Sequence, residues 1–131
     1  MTLAIDLIQF EKNVDHLVPA VIQDAATNQV LMLGFMNRAA LVKTLDTGSV
    51  TFWKRSTQKL WTKGETSGNV LKFVSLRINC NNDSLLIMAD PVGATCHTGH
   101  PTCYYRQIET VDDDWQTITT QQFDPADVYK S

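Results

Sequence analysis

Cysteine, proline and long apolar runs are all scarce in this 131-residue chain. There are three cysteines, an odd number that makes a poor disulfide framework in the absence of a secretion signal. No apolar run approaches the ~20 residues that span a bilayer, and the short apolar stretch near the N-terminus is too polar for a signal peptide. We therefore expect a cytoplasmic protein with reduced thiols and no membrane partner.

Positive charge is also in short supply. Eleven Lys and Arg face fourteen Asp and Glu, for a net charge of -3, which argues against a nucleic-acid partner because such binding needs a basic surface. Residues 51–63 nevertheless contain four cations and no acid, namely Lys54, Arg55, Lys59 and Lys63. This segment suits a small polyanionic ligand, although a solvated strand face is the alternative.

The apolar pattern predicts one mainly β domain over residues 1–131, with an acidic tail at 109–131. Strands are expected at 19–22, 29–35, 50–54, 70–78 and 84–89, and a final hairpin pairs 104–110 with 115–119. In the long strand, Val70, Lys72, Val74 and Leu76 should share one side. One helix should run from Arg38 to Thr47, capped by Asn37 and ended by Gly48, with its apolar face formed by Ala39, Leu41, Val42 and Leu45.

The cysteines lack the short spacing of a zinc ribbon, because Cys80 lies sixteen positions before Cys96, and Cys103 seven positions after it. Three thiolates can hold Zn²⁺ and leave one position open for water, as catalytic zinc requires, whereas the alternative is three core residues. Cys96 and His97 lie in a polar loop, which favours a site. His97 is a candidate general acid/base or, alternatively, a fourth zinc ligand.

Arg55-Ser56, the block from Leu60 to Asn69, Cys80, the run Cys96-His97-Thr98-Gly99 and Cys103 together resemble the phosphoribosyl-AMP cyclohydrolase family, over about residues 17–104. The resemblance implies hydrolysis of the N1–C6 bond in the adenine ring of 1-(5-phosphoribosyl)-AMP, the third step of histidine biosynthesis. It also implies a compact β pseudobarrel in an intertwined homodimer. Zinc would be shared, with Cys80 from one subunit and Cys96 and Cys103 from the other.

The residue types around these motifs agree with that chemistry. His97 can protonate the departing nitrogen, and Glu65 is placed to touch a ribose or base nitrogen or to assist proton transfer. Arg55 and Lys63 supply charge for phosphate, and Gly64 lets the backbone approach it closely. The full expected substrate-binding set is Arg55, Ser56, Trp61, Lys63, Gly64, Thr66, Ser67 and Asn69. The alternative for this block is an ordinary glycine-containing hairpin loop.

One departure from the family pattern concerns Mg²⁺. The family places aspartates around its first cysteine as Asp-Cys-Asp-x-Asp, whereas this chain has Asn79-Cys80-Asn81-Asn82-Asp83. Because Mg²⁺ prefers anionic oxygen, we expect zinc to be retained and Mg²⁺ binding at Asn79, Asn81 and Asp83 to be weak, absent or rebuilt from Asp83 and Asp90. Too few residues follow Cys103 for another domain, so we expect the single-activity form.

Two other functions remain open at this stage. A zinc deaminase would need a His-x-Glu and a Pro-Cys-x-x-Cys pattern, and the sequence contains neither. A non-catalytic, zinc-stabilised binding module descended from the cyclohydrolase would keep the cysteines without turnover.

Overall fold

The computed structural model describes residues 3–128, so the last three residues of the acidic tail and the first two of the chain lie outside it. Two short 3₁₀ helices, Ala4–Leu7 and Phe10–Lys12, precede the sheets. The strands are β1 Val18–Asp24, β2 Val30–Met36, β3 Thr51–Lys54, β4 Lys59–Thr62, β5 Leu71–Ile78, β6 Leu85–Pro91, β7 Arg106–Gln107 and β8 Gln116–Thr117. The helices are α1 Arg38–Thr47 and α2 Pro125–Val128. The expected mainly β, α+β class is confirmed.

Strands β2, β1, β6 and β5 form the main sheet in that spatial order. β1 pairs antiparallel with β2 and parallel with β6, and β5 pairs antiparallel with β6. A parallel pair needs a long crossover, and α1 with the β3–β4 ribbon lies in the segment that joins β1 to β6. Alternate β1 residues Val18, Ala20 and Ile22 are fully buried, so one face of the sheet forms the core.

Helix α1 has the predicted bounds because its caps are local. The Asn37 side chain accepts a hydrogen bond from the Ala40 N–H at 2.9 Å, which satisfies one free donor of the first turn. At the other end, Gly48 has φ +78 and donates its N–H to the Thr44 carbonyl at 2.9 Å. Both end signals are short-range, and both predictions are confirmed.

Of the predicted apolar face of α1, only Leu41 is buried, and the prediction is wrong for Ala39, Val42 and Leu45. Ala40, Leu41 and Thr44 are the buried residues, whereas Val42 and Leu45 are 37% and 41% exposed. Thr44 occupies the core position because its hydroxyl accepts the Thr51 N–H at 2.9 Å and donates to the Ala40 carbonyl, also at 2.9 Å. The hydrogen bond between Thr44 and β3 therefore sets the rotation of the helix about its axis. The most apolar stripe of the helix does not set it.

The predicted alternation of β5 fails beyond its middle because the strand contains a bulge. Phe73 pairs with Ala89 and Ser75 with Met88, which leaves Val74 unpaired and 49% exposed. One extra residue reverses the sides, so Leu76 and Ile78 pack on the core with Leu71 and Phe73. Leu76 therefore faces opposite to the expectation.

The sequence predicted only the first strand of the β3–β4 hairpin. It is held to the main sheet by the Val50 N–H, which donates to the Leu71 carbonyl at 2.9 Å. Gly34 of β2 packs under it so closely that a Cβ there would lie 2.4 Å from the Phe52 ring. The predicted final hairpin is confirmed in shorter form, with Arg106 opposite Thr117. Within residues 3–128, no helix has the length and apolar character to cross a membrane.

Candidate active site

A cleft of about 340 Å³ opens between the β3–β4 hairpin, the loop that follows β4 and the loop that carries two of the cysteines. It collects eight of the residues predicted from the sequence, although they lie far apart in the chain: Trp61, Lys63, Gly64, Glu65, Thr66, Ser67, His97 and Cys103. It also contains Met32, Lys54 and Thr95, which the sequence reasoning did not assign to the site. The cleft is therefore the candidate active site.

Two thiols meet at one wall of this cleft. Cys96 is buried and accepts a hydrogen bond from the Thr98 hydroxyl at 3.0 Å, while Cys103 is at the exposed rim. Desolvation first, then the charge of Cys96 and a hydrogen bond between the two side chains, raise the pKa of the Cys103 thiol to about 12, against a lowering by Lys63. This raised pKa keeps the proton on the Cys103 thiol at neutral pH, and a bound cation would displace it.

Lys63 supplies a buried positive charge next to the thiols. It is 5% exposed, and its backbone N–H donates to the Val50 carbonyl at 3.0 Å, which fixes the residue at the end of the hairpin. Burial lowers the pKa of the Lys63 ammonium, and the neighbouring sulfur groups of Cys103 and Cys96 oppose that lowering. A partly desolvated cation at the floor of a cleft favours an anionic ligand.

The loop after β4 is tight because Gly64 has φ +86 and no room for a side chain, since a Cβ would lie 2.5 Å from the Asn69 backbone. The Gly68 N–H donates to the Gly64 carbonyl at 2.7 Å, and the Asn69 N–H donates to the Ser67 hydroxyl at 3.1 Å. Glu65, Thr66 and Ser67 thereby line the cleft. Asn69 closes the loop and is not among the lining residues.

Arg55 and Ser56, both predicted to bind substrate, lie in a neighbouring groove instead. The Arg55 guanidinium is 4.1 Å from the Phe35 ring centre and 3.2 Å from an Asp15 carboxylate oxygen. Lys54 lines the cleft where Arg55 was expected, with its ammonium 5.6 Å from the Trp61 ring centre. The sequence signal for a cation at the cleft was the adjacent pair Lys54 and Arg55. Which of the two faces the cleft depends on where β3 ends.

The turn that carries Cys80 is separate from this cleft. Asn79 Oδ1 accepts hydrogen bonds from the backbone N–H groups of Asp83 at 2.9 Å and Ser84 at 2.8 Å, and Asn79 Nδ2 donates to Asp83 Oδ1 at 2.6 Å. The Lys12 ammonium lies 2.6 Å from Asp83 Oδ2. The hydrogen bond from Lys12, followed by that from Asn79, lowers the pKa of Asp83.

This arrangement does not fit Mg²⁺. The oxygens of Asn79 and Asp83 are already engaged, Asn81 is neutral, and Lys12 brings its own positive charge to the only carboxylate of the turn. Asp90 cannot join Asp83 at one site in the same chain, because Asp83 precedes β6, Asp90 is near the far end of that strand, and the seven positions between them span roughly 20 Å of extended chain. Asp90 is instead opposite Lys72 of β5.

Within one chain, the predicted trio of cysteines is not together. Cys80 is exposed in its turn, and in the described part of the chain no three His, Cys, Asp or Glu side chains converge as a metal site. Cys103 and His97 line the cleft, and Cys96 is buried against Cys103. Cys80 is not among the residues that line it.

The fold and the cleft together define a small α+β domain whose cation-lined site carries a thiol pair and a histidine. A model of the phosphoribosyl-AMP cyclohydrolase family matches residues 32–105. The chain is 47% identical over 124 residues to a phosphoribosyl-AMP cyclohydrolase of Desulfatibacillum aliphaticivorans, covering 94% of this chain and 97% of that protein. The chain belongs to this family, and the sequence resemblance is confirmed.

Longer relatives match as well. A histidine biosynthesis bifunctional protein of Photobacterium profundum is 59% identical over 102 residues, which is 78% of this chain and 49% of that protein. A bifunctional protein of the same description from Vibrio vulnificus is 58% identical over 97 residues, covering 74% of this chain and 46% of the relative. The chain thus spans about half the length of these bifunctional relatives.

Thr95 yields a stability prediction. Its side-chain oxygen is buried beside the cleft and has no hydrogen-bond partner among residues 3–128. Thr95→Val keeps the shape and removes this unsatisfied group, so the free energy of unfolding of the ligand-free protein should rise by about 1 kcal/mol in urea titrations. Thr102→Val is the matched control: Thr102 is 2% exposed and donates to the Val30 carbonyl at 2.7 Å, so its loss should destabilise. Destabilisation by both variants would contradict the assignment.

Proposed function

We propose that this protein hydrolyses the N1–C6 bond in the adenine ring of 1-(5-phosphoribosyl)-AMP, within histidine biosynthesis. Membership of the family supports the proposal, and the observation that carries it is the pairing of Cys96 and Cys103 in a cleft with His97 and Lys63. Water adds to C6, the N1–C6 bond breaks and one proton passes to N1. The free thiols fit a reducing compartment, so we place the protein in the cytoplasm.

Zinc fits the donor set of the cleft, because Cys96 and Cys103 are soft sulfur ligands and Zn²⁺ can displace their protons. When bound, the metal supplies a water whose pKa is lowered to about 7, a nucleophile at neutral pH. The Thr98 hydroxyl, which donates to Cys96 Sγ at 3.0 Å, orients that sulfur from behind. Three protein ligands would leave a position open, so two thiols from one chain require one more ligand.

We assign substrate binding to the lysines, the hydroxyl groups and the tryptophan ring that line the cleft. Lys54 and Lys63 supply positive charge for the phosphates, and Thr66 and Ser67 supply hydroxyl donors. Trp61, which packs against Phe52 with ring centres 6.0 Å apart, offers a fixed aromatic face for the purine. Gly64 leaves the backbone open to close approach. Arg55 and Ser56 can contact only a part of the ligand that extends beyond the cleft.

His97 is assigned the proton transfer to the departing nitrogen. It lines the cleft with Glu65, and an imidazole has one nitrogen that can accept a proton and one that can donate it, so it can carry a proton between water and N1. Glu65 cannot bind phosphate because of its charge. We assign it to a ribose hydroxyl or to orientation of the base.

A homodimer with shared zinc sites completes the ligand set. Cys80 is exposed and apart from the Cys96–Cys103 pair, so we propose that Cys80 of one subunit joins Cys96 and Cys103 of its partner. This arrangement supplies three thiols to each of two equivalent sites, as a twofold-symmetric dimer requires.

Complementation tests the shared site. Cys80→Ser and Cys96→Ser proteins should each lose zinc and turnover. Turnover is measured as the change in ultraviolet absorbance that accompanies opening of the purine ring. Refolded together in equal amounts, they should regain about a quarter of wild-type turnover, because half of the dimers are mixed and each mixed dimer has one intact site. Mixing Cys96→Ser with Cys103→Ser is the control and should restore nothing. Equal recovery in both mixtures, or none in the first, would contradict the shared site.

His97→Asn separates proton transfer from zinc binding. If His97 moves the proton, turnover falls by about 10²–10⁴-fold while the zinc content stays at the wild-type level. The control is His16→Asn, at an exposed position away from the cleft. Loss of zinc with loss of turnover would assign His97 as a metal ligand instead. A wild-type protein that binds zinc without turnover would favour the non-catalytic binding module.

We further propose that the zinc-loaded protein works without Mg²⁺ at the Cys80 turn, since Lys12 already neutralises Asp83. Turnover should be flat across a Mg²⁺ titration, and calorimetry should show no binding at this turn. The triple change Lys12→Met, Asn79→Asp, Asn81→Asp should create Mg²⁺ affinity, with Lys12→Met alone as the control. A sharp requirement for micromolar Mg²⁺ in the wild type would overturn this proposal.

A further inference from the structure

The segment after β8 lies against the loop that joins the two cleft cysteines. We call residues 119–123 the C-terminal strap. The Thr119 hydroxyl is 2.6 Å from His100 Nδ1, the Gln121 side-chain amide donates to the Thr98 carbonyl at 2.7 Å, and the Gln122 backbone N–H donates to the Gly99 carbonyl at 2.7 Å. Three hydrogen bonds therefore meet three consecutive loop residues, and the strap lies beyond residues 32–105 that match the family.

The loop under the strap is a tight turn with two backbone hydrogen bonds of its own. The Gly99 N–H donates to the Cys96 carbonyl at 2.9 Å, and the Cys96 N–H donates to the His100 carbonyl at 3.1 Å. Gly99 has φ +89, and a Cβ there would lie 2.1 Å from the Phe123 carbonyl oxygen, so strap and turn are in direct backbone contact. His100 is 7% exposed and stacks on Tyr105 with ring centres 3.9 Å apart.

Cys103 is fixed from the other side. Its backbone N–H donates to the Leu31 carbonyl of β2 at 2.8 Å, which ties the end of the loop to the main sheet. Residues 97–100 have no such backbone bond to a sheet among the described contacts. The strap therefore adds to the stack of His100 on Tyr105 and to the Cys96–Cys103 contact in holding the Cys96 half of the loop against the Cys103 half.

We propose that the C-terminal strap is a positioning element of the site, with Thr119 and Gln121 as positioning residues for Cys96 and His97. Neither lines the cleft, so their effect passes through Thr98 and His100. Asp113 takes no part in this contact, since it accepts the backbone N–H groups of Glu109 and Thr110 in the β7–β8 turn. The effect on turnover rests on the proposed function, whereas the effect on thiol protection does not.

The test uses the full chain with Thr119→Val and Gln121→Ala. The matched controls are Thr120→Val, at an exposed neighbour, and Gln122→Ala, which keeps the backbone N–H that makes the contact. In metal-free protein, alkylation of Cys96 by iodoacetamide is measured by peptide mass spectrometry relative to the exposed Cys80. Loss of one hydrogen bond should raise the relative rate about fivefold through local opening, and Thr119→Ser should restore protection.

A second measurement follows zinc release to a chelator, which should speed up in the same two variants and stay unchanged in both controls. Unaltered Cys96 protection in Thr119→Val and Gln121→Ala, or an equal rise in the controls, would overturn the strap proposal. A wild-type chain without turnover, but with this protection pattern, would overturn the proposed function and leave the strap in place.

Discussion

The meeting of Cys96 and Cys103 beside Lys63 is the arrangement on which the site depends. The two thiols come from the ends of one loop, whereas Lys63 comes from the end of the β3–β4 hairpin. The loop is fixed at one end by bonds to β2, where the Thr102 hydroxyl donates to the Val30 carbonyl at 2.7 Å. A desolvated ammonium is unfavourable without a neighbouring negative charge, so Lys63 favours an anion beside it, whether a thiolate or an anionic ligand.

The distribution of ion pairs explains which cations remain for a ligand. The three salt bridges in the described part of the chain, Lys12–Asp83, Arg38–Asp6 and Arg55–Asp15, all lie outside the cleft. Exposed pairs of this kind contribute little to stability, but they neutralise their cations. Lys54 and Lys63 are in none of these pairs, so the cleft lining holds two lysines against the single carboxylate of Glu65, although the chain carries a net charge of -3.

Sequence reasoning predicted the features that local chemistry decides. Asn37 and Gly48 bound α1 through bonds within one turn, and the Gly64–Asn69 block forms its loop by itself. It failed where a distant contact decides: Thr51 turns the polar Thr44 inward, the bulge at Val74 reverses half of β5, and the end of β3 selects Lys54 over Arg55. Eight of the residues predicted for the site line one cleft, because motif residues can be identified by their chemistry without knowledge of their positions in space.

The amides Asn79 and Asn81 give the Cys80 turn a structural logic of its own. A turn with three carboxylates repels itself unless a cation is bound, whereas Asn79 bonds to two backbone N–H groups and Lys12 neutralises Asp83. The turn is therefore ordered without a metal and presents an exposed Cys80 in a fixed shape. In the proposed dimer, such a preorganised turn lowers the entropy lost when Cys80 joins the partner's thiol pair. The Lys12 ammonium can therefore order this turn as a bound divalent ion would.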